Sequence, residues 1–355
     1  MSIIDRYLLQ AIVSSAMLTL LIFVGLVGFI NFAMQVDDIG IGQYELPNAI
    51  TYVLLLSPKH AFELMPISTL IGTLMGLGTL AAHSELVVMR VAGISRIRFA
   101  GSVVLSGVVL VFVAIVLGEI IGPPAEQLAR TNRTLQKHDQ INLTSGRYAW
   151  VKDGNTFVNF RSLDSQGGLG GIYLFRFNDD RELESVGRAR SGGFDEQQNW
   201  ELDDYRETTL TDKGVQTRFV RRIKQESGLS RDILGLSIVD PDRLGSVGLF
   251  NYVRYLKNNA MDSQRYEVAF WARIANTVSI LAMTILALPF AFGTLRSSGA
   301  GARLLTGILI GTAFFFASRT LANSGQVFGL NPLLIAWLPT LIVTLVAAAG
   351  ISRIR

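Results

Sequence analysis

The chain has 355 residues, no cysteine and only three histidines. The first absence excludes a disulfide framework, a thiolate metal site and a cysteine nucleophile, and it leaves the redox compartment open. Gly-Lys occurs nowhere, so there is no G-x-x-x-x-G-K-[ST] phosphate loop, and neither G-x-S-x-G nor H-E-x-x-H is present. Charge is the next scarcity. Asp, Glu, Lys and Arg make up 17% of the chain, where a soluble domain carries about a quarter, while half of the residues are hydrophobic. The shortage is uneven: 21 Lys/Arg and 20 Asp/Glu fall between Pro123 and Tyr266, leaving 11 and 8 for the other 211 residues. That remainder cannot coat a water-soluble globule. The composition defines a membrane protein with one water-soluble segment in its middle. The net charge of +4 says nothing of nucleic acid, because the charged segment is nearly balanced and has no basic block.

The run from Ala11 to Met34 holds 24 uncharged residues, long enough as a helix to cross a bilayer and too long for the apolar core of a signal peptide. It reads as a retained span. A second stretch, Ala49 to Ala82, is interrupted by Pro58, Lys59, His60, Glu63 and Pro66, and turns small and glycine-rich toward Gly72, Gly76 and Gly78. Thr73, Gly76 and Leu80 mark one close-packing face on it. The third span runs from Phe99 to Ile121 and is expected to stop at Gly122-Pro123-Pro124. Three more follow the charged segment: Val268–Gly293, Leu304–Leu321 and Pro332–Ile351.

Loop charge orients the six. Arg6, the group Arg90, Arg96 and Arg98, the pair Arg296 and Arg303, and the pair Arg353 and Arg355 share one side, whereas 35–48 and 322–331 carry no Lys or Arg. The positive-inside rule makes both termini cytoplasmic and puts the charged segment outside. His60, His83 and His138 then lie at different sides or depths and cannot share a metal. Glu119, near the end of its span, reads as structural.

In that outer segment, Tyr148–Val151 and Thr156–Phe160 flank Asp153-Gly154-Asn155, a hairpin signature. Further short β-rich runs at 172–177, 200–202 and 215–220 imply a sandwich or jelly roll. Its sheet edges can either take a strand from another chain or be shielded. Leu249, Tyr252, Val253 and Leu256 recur at helical spacing, an amphipathic linker helix. The expected architecture is a polytopic α-helical membrane protein with six transmembrane helices in 3+3 order and an inserted periplasmic all-β, jelly-roll-like domain. Its parts are 1–122 (three spans with a cytoplasmic helix at about 84–93), 123–245 (the β domain with a helical lead-in), 246–266 (the linker helix) and 267–355 (three spans).

Two features carry function. Ser84-Glu85-Leu86-Val87-Val88-Met89-Arg90 opens with a plausible N-cap and an acidic first turn, and Gly93 is a natural stop. A mostly apolar helix this short needs a protein groove or the membrane interface to cover it; a simple interfacial turn is the plain alternative. On the opposite side, Lys59 lies just inside its span, and Arg130 and Arg133 stand one turn apart on a continuing helix. Intramembrane cations mark ligands or salt-bridge partners, and these suit the phosphates of a lipid. The plain alternative has Lys59 snorkelling or paired with Glu63 and the arginines coating a surface. Arg319 is free to snorkel at the outer end of its span.

The Ser84–Met89 run with Ala92-Gly93 resembles the LptF/LptG permeases of lipopolysaccharide export. So do Ser57-Pro58-Lys59, Glu126-Gln127-x-Ala129-Arg130-x-x-Arg133, Tyr252-x-x-Tyr255-Leu256-Lys257 and Asp5-Arg6-Tyr7. The resemblance covers essentially the whole chain, and the Glu-Leu-Val-Val-Met form lies nearer the LptG branch. It implies a non-catalytic subunit of an inner-membrane ABC transporter, heterodimeric with an LptF-like paralogue and seated on a homodimeric LptB-like ATPase that binds the ATP and Mg. No cofactor is expected in this chain. An LptC-like single-span protein, a periplasmic LptA-like bridge and lipopolysaccharide are the other implied partners. Glu85, Leu86, Val87, Val88, Met89 and Arg90 would couple to the ATPase, and Lys59, Arg130 and Arg133 would engage the phosphorylated sugar core. The chain departs from some members in having Asp37-Asp38 just after the first span, where they have lysines, and in lacking a Lys and Pro near Ala272–Thr277. A membrane-anchored periplasmic sensor or scaffold, and a lipoprotein-releasing ABC permease, are the rival readings.

Overall fold

The uncharged stretches form long helices because a chain in hydrocarbon must satisfy every backbone group within itself. A computed structural model describes residues 3–93, 95–137, 148–162, 169–194, 200–211, 214–225, 241–292 and 299–352. Six helical segments are long and apolar enough to span. Helix α1 covers Ile3–Gln35 and runs into a single turn at Val36–Asp38; α2 is Leu46–Ala82, the short α3 is Glu85–Val91, and α4 is Arg96–Ile115. A π turn at Val116–Ile121 leads into α5, Gly122–Lys137. After the β insertion come α6 (Ser246–Asn258), α7 (Gln264–Phe292), α8 (Ala300–Phe328) and α9 (Pro332–Ser352).

The chain divides into two units, a helical one of Met1–His138 with Gln264–Arg355 and an inserted one of Asp139–Ser263. In the helical unit α2 is central, touching α1, α5, α7 and α8. Leu8, Ile12, Ala16 and Leu20 of α1 pack with Met65, Leu77 and Leu80 of α2, Val103 and Leu110 of α4, and Ile280 and Leu288 of α7. Of the expected close-packing face, Gly76 lies against α1, and so does Gly72 one turn before it: a Cβ on Gly72 would sit 2.2 Å from the Ala16 Cα, and one on Gly76 2.8 Å from the Ala11 carbonyl oxygen.

Pro58 and Pro66 interrupt the composition of α2 but not the helix, which is continuous from Leu46 to Ala82. One sequence expectation needs correction. Gly122-Pro123-Pro124 does not stop the third span. The π turn before it shifts the hydrogen-bond register, so both prolines fall in the first turn of α5, where amides lack helical acceptors anyway. Helix α5, grouped with the insertion on sequence grounds, packs against α2 in the helical unit.

Among the described residues, the insertion holds one six-stranded antiparallel sheet in the order β1-β2-β3-β4-β5-β6. The strands are β1 Tyr148–Asp153, β2 Thr156–Ser162, β3 Leu169–Phe177, β4 Leu183–Phe194, β5 Trp200–Thr211 and β6 Gly214–Gln225. The predicted hairpin is present: Asp153 pairs with Thr156 across Gly154-Asn155, with Gly154 at φ +55°. Alternation buries Val151, Val158, Ile172, Leu174, Ala189 and Leu202. The β1 edge is not free. The Tyr255 hydroxyl on α6 donates to the Lys152 carbonyl at 2.6 Å and accepts from the Lys152 amide at 3.1 Å, and Asn259 Oδ1 accepts from the Gly154 amide. The linker helix, recognised by its apolar spacing, thus shields one edge of the sheet. Burial pushes the Tyr255 phenol up to about 12, and does the same to Tyr205, whose ring packs on Gly187.

Candidate functional site

Functional groups gather at opposite ends of the helical unit. At the end where α1 stops, the loop to α2 is a tight turn with Gly40 at φ +95° and Gly42 at φ +62°. Tyr44 is fully buried, and the Gln43 amide donates to the Gln136 carbonyl at 2.8 Å. A Cβ on Gly42 would meet the carbonyl oxygens of Gln136 and Lys137 at 2.7 Å, so only glycine lets this loop close on the end of α5. The closure sets Asp38 against α5.

Glu126, Arg130, Arg133 and Lys137 recur at four, three and four residues along one face of α5, a stripe of roughly 16 Å. Two carboxylates organise it. Glu126, its side chain only 3% exposed, accepts from Lys59 of α2 at 3.0 Å and from Arg130 at 2.9 Å. Asp38 is shared by Arg133 through Oδ2 and Lys137 through Oδ1. The Arg133 guanidinium also lies over the Tyr52 ring, 5.1 Å from its centroid, and its buried Nε has no hydrogen-bond partner. Within these clusters four cations face two carboxylates.

Lys59, Arg130 and Arg133, expected as one set, fall at the same end of the helical unit in two neighbouring ion clusters. Lys59 pairs with Glu126 of another helix, not with Glu63 one turn on. Lys137 was missed, although it continues the Arg130–Arg133 spacing by one more turn.

At the other end, Ser84 stands at φ +60°, and its carbonyl accepts the first bond of α3 from the Val88 amide; Gly93 at φ +87° ends the helix as expected. Leu86 is buried, Met89 packs partly against the same core, and Val88 and Val91 are exposed. The side chains of Val87 and Arg90 lie outside the described residues. Glu85 accepts a 2.7 Å hydrogen bond from the Tyr7 hydroxyl of α1, and Asp5 accepts one from Ser102 of α4 at 2.8 Å. The Asp5-Arg6-Tyr7 motif thus ties the start of α1 to α3 and α4. On α3, then, Val88 is exposed and Glu85 is held by Tyr7.

Between the ends, Arg273 of α7 donates to Glu119 at 2.6 Å and to the Gly118 carbonyl, with its guanidinium 5.0 Å from the Phe62 ring centroid. Glu119 is a structural counter-ion inside the span, as its position suggested. His60 lies 3.7 Å from Glu63, and Asn31 Nδ2 is 3.2 Å from its other ring nitrogen.

Six candidate spans, a β domain inserted after the third, a short helix at one end and a cationic stripe at the other describe a polytopic membrane protein. The profile of the family described as lipopolysaccharide export system permease LptF/LptG matches residues 6–353. The chain is 36% identical over 340 residues to lipopolysaccharide export system permease protein LptG of Escherichia coli (strain K12), covering 95% of this chain and 94% of that protein. It is 32% identical over 353 residues to the protein of that name from Haemophilus influenzae, covering 99% of each. The chain belongs to the LptF/LptG family, as a multi-pass inner-membrane permease subunit of lipopolysaccharide export.

Proposed function

We propose that this chain binds the phosphorylated head of lipopolysaccharide at the Lys59–Arg130–Arg133 end and receives the ATPase stroke at α3. In this reading it pairs with an LptF-like paralogue on a homodimeric LptB-like ABC ATPase, which supplies the ATP and Mg sites. Both termini and α3 are cytoplasmic, and the β domain is periplasmic, where it meets an LptC-like protein and an LptA-like bridge. The lipid enters from the outer leaflet into an amphipathic cavity, with its acyl chains against apolar helix faces and its phosphates on the cations. Closure of the ATPase dimer pushes Glu85–Arg90 and squeezes the cavity, sending the lipid toward the β domain.

The carrying observation is the stripe on α5. Arg and Lys in a fork-and-point-charge arrangement at the end of apolar helices match a phosphate on a greasy body. A scaffold that moves no substrate has no use for partly exposed cations there in excess of their counter-ions. The test is native mass spectrometry of the tagged chain extracted in mild detergent. One copy with a six-span paralogue, two copies of a P-loop ATPase and bound lipopolysaccharide are expected. A lone chain or homodimer without an ATPase, reproduced in a gentler extraction, would overturn the reading.

A further inference from the structure

The two carboxylates of the stripe are not equivalent. Glu126 is 3% exposed and bridges two helices, because Lys59 comes from α2 and Arg130 from its own helix. Its burial between α2 and α5 makes it part of the scaffold. Asp38 is 19% exposed, lies on the single turn between α1 and the α1–α2 loop, and divides its two oxygens between Arg133 and Lys137. Arg133 is not held in its best geometry. Arg133 uses one Nη toward Asp38 while its Nε stays buried and unpartnered, although a guanidinium binds an oxyanion best through two parallel donors. A tetrahedral phosphate has the oxygens to take both donors of Arg133 and still reach Lys137; one carboxylate shared between two residues does not.

We propose that Asp38 is a displaceable internal anion that occupies the phosphate position on Arg133 and Lys137 in the unloaded subunit and sets the affinity of that position. This rests on the phosphate-binding reading above and adds a specificity-setting residue to it. The carboxylate keeps the two cations from repelling each other while the site is empty, and it weakens binding because the incoming phosphate has to displace it. A singly charged or uncharged head competes poorly with it; a lipid with a phosphate that makes the bidentate contact wins. Asp38 therefore filters for phosphorylated lipids and lowers their affinity enough to permit release.

The measurement is equilibrium binding to the assembled transporter in nanodiscs, using lipid A with both phosphates and the same lipid with both removed. Asp38→Asn keeps the shape of the side chain and removes its charge. It is expected to bind the diphosphorylated lipid about three- to tenfold more tightly, the loss of one charged competitor, and to bind the dephosphorylated lipid as the parent does. Asp37→Asn makes the same change of net charge one residue away, at an exposed side chain, and is expected to stay within about twofold of the parent, the scale of a screened surface charge. Asp38→Ala, which removes the contact altogether, should follow Asp38→Asn and guards against an effect of the amide. Equal tightening by Asp37→Asn and Asp38→Asn would reduce the effect to general electrostatics and overturn the proposal. So would unchanged or weaker binding by both Asp38 variants while Arg133→Ala loses affinity, and that outcome would leave the phosphate site itself standing. If Arg133→Ala binds like the parent and removal of the phosphates changes nothing, the phosphate-binding reading fails, and this proposal fails with it.

Discussion

Replacing Gly72 with alanine should separate α1 from α2, and the size of the effect follows from the atoms the new methyl would meet. Its Cβ would lie 2.2 Å from the Cα of Ala16, 2.4 Å from its amide nitrogen and 2.8 Å from the Ser15 carbonyl carbon. Carbon atoms in contact prefer about 3.5–4.0 Å, so α1 must retreat by more than about an ångström along this crossing. Every offending atom is backbone, and no rotamer change relieves it. Overpacking costs about 1–3 kcal/mol where side chains can yield, and here the cost belongs at or above the upper end. A loss of about 3 kcal/mol in a helical unit of this size lowers the midpoint of thermal unfolding by roughly 6–12 °C.

Gly118→Ala is the matched comparison. Its Cβ would lie 2.3 Å from Cδ2 of the Phe62 ring, as severe a clash but with a side chain. Phe62→Leu should therefore rescue much of Gly118→Ala, whereas Ala16→Gly should rescue none of Gly72→Ala, since it removes a methyl group that is not in the way. The assay is the temperature at which the detergent-solubilised full chain loses half of its monodisperse peak, measured for both double-mutant cycles. A Gly72→Ala variant within about 1 °C of the parent, or one restored by Ala16→Gly, would refute the account of the α1–α2 contact.

Glu85→Lys should weaken co-purification of the ATPase while membrane insertion is retained; undiminished co-purification and transport would remove the coupling role. Tyr7→Phe deletes the 2.7 Å bond to Glu85, and a milder loss in the same assay is expected, in proportion to a charge-assisted hydrogen bond of about 1.5–3 kcal/mol shared with water. Lys59→Glu combined with Arg133→Glu should reduce the stimulation of ATPase activity by lipopolysaccharide at least about tenfold, since two charge-assisted contacts are reversed; equal stimulation in variant and parent counts against the phosphate contacts. In the β domain, the phenols of Tyr205 and Tyr255 are raised to about 12, above the ordinary value of about 10. The folded domain holds these protons more tightly than the unfolded chain, so their contribution is complete below about pH 10 and is lost as pH rises toward 12. Limited proteolysis across that range should show the loss, and Tyr255→Phe should speed deuterium exchange at the Lys152 amide at neutral pH; parent-like exchange would mean that the hydroxyl does not guard the edge.

How much of this was legible in the sequence depends on the range of the interaction. The spans were readable because a lack of charge over more than twenty residues has few other meanings, and the β1–β2 turn because Asp-Gly-Asn between alternating strands is a local signal. The end of the third span was misread. Pro123-Pro124 breaks a helix in α register but begins one after a π turn, and a π turn leaves no signature in composition. The cations were readable as a class, since Lys or Arg beside an uncharged run stands out. Their counter-ions were not. Glu126 lies 67 residues from Lys59, and Asp38 lies 95 from Arg133. Read along the chain, Asp37-Asp38 looked like a subtraction from the phosphate site.

In the fold, Asp38 pairs with Arg133 and Lys137, and in the proposed reading this alters what the substitution of acid for lysine means. A lysine at this turn would add a donor and raise the affinity for phosphate; the aspartate lends the neighbouring cations a carboxylate that a ligand has to replace. Transport needs binding that is strong enough to select and weak enough to reverse, and the second requirement is the one an excess of fixed cations fails. At the opposite end of α1, the Tyr7 hydroxyl holds Glu85 in place. Tyr7 lies on α1 and Asp38 on the turn that follows it, and α1 packs closely on α2 at Gly72 and Gly76. In the proposed reading, a displacement of α1 along this seam would alter the surroundings of Glu85 and of Arg133 together, and so link an ATPase end to a lipid end.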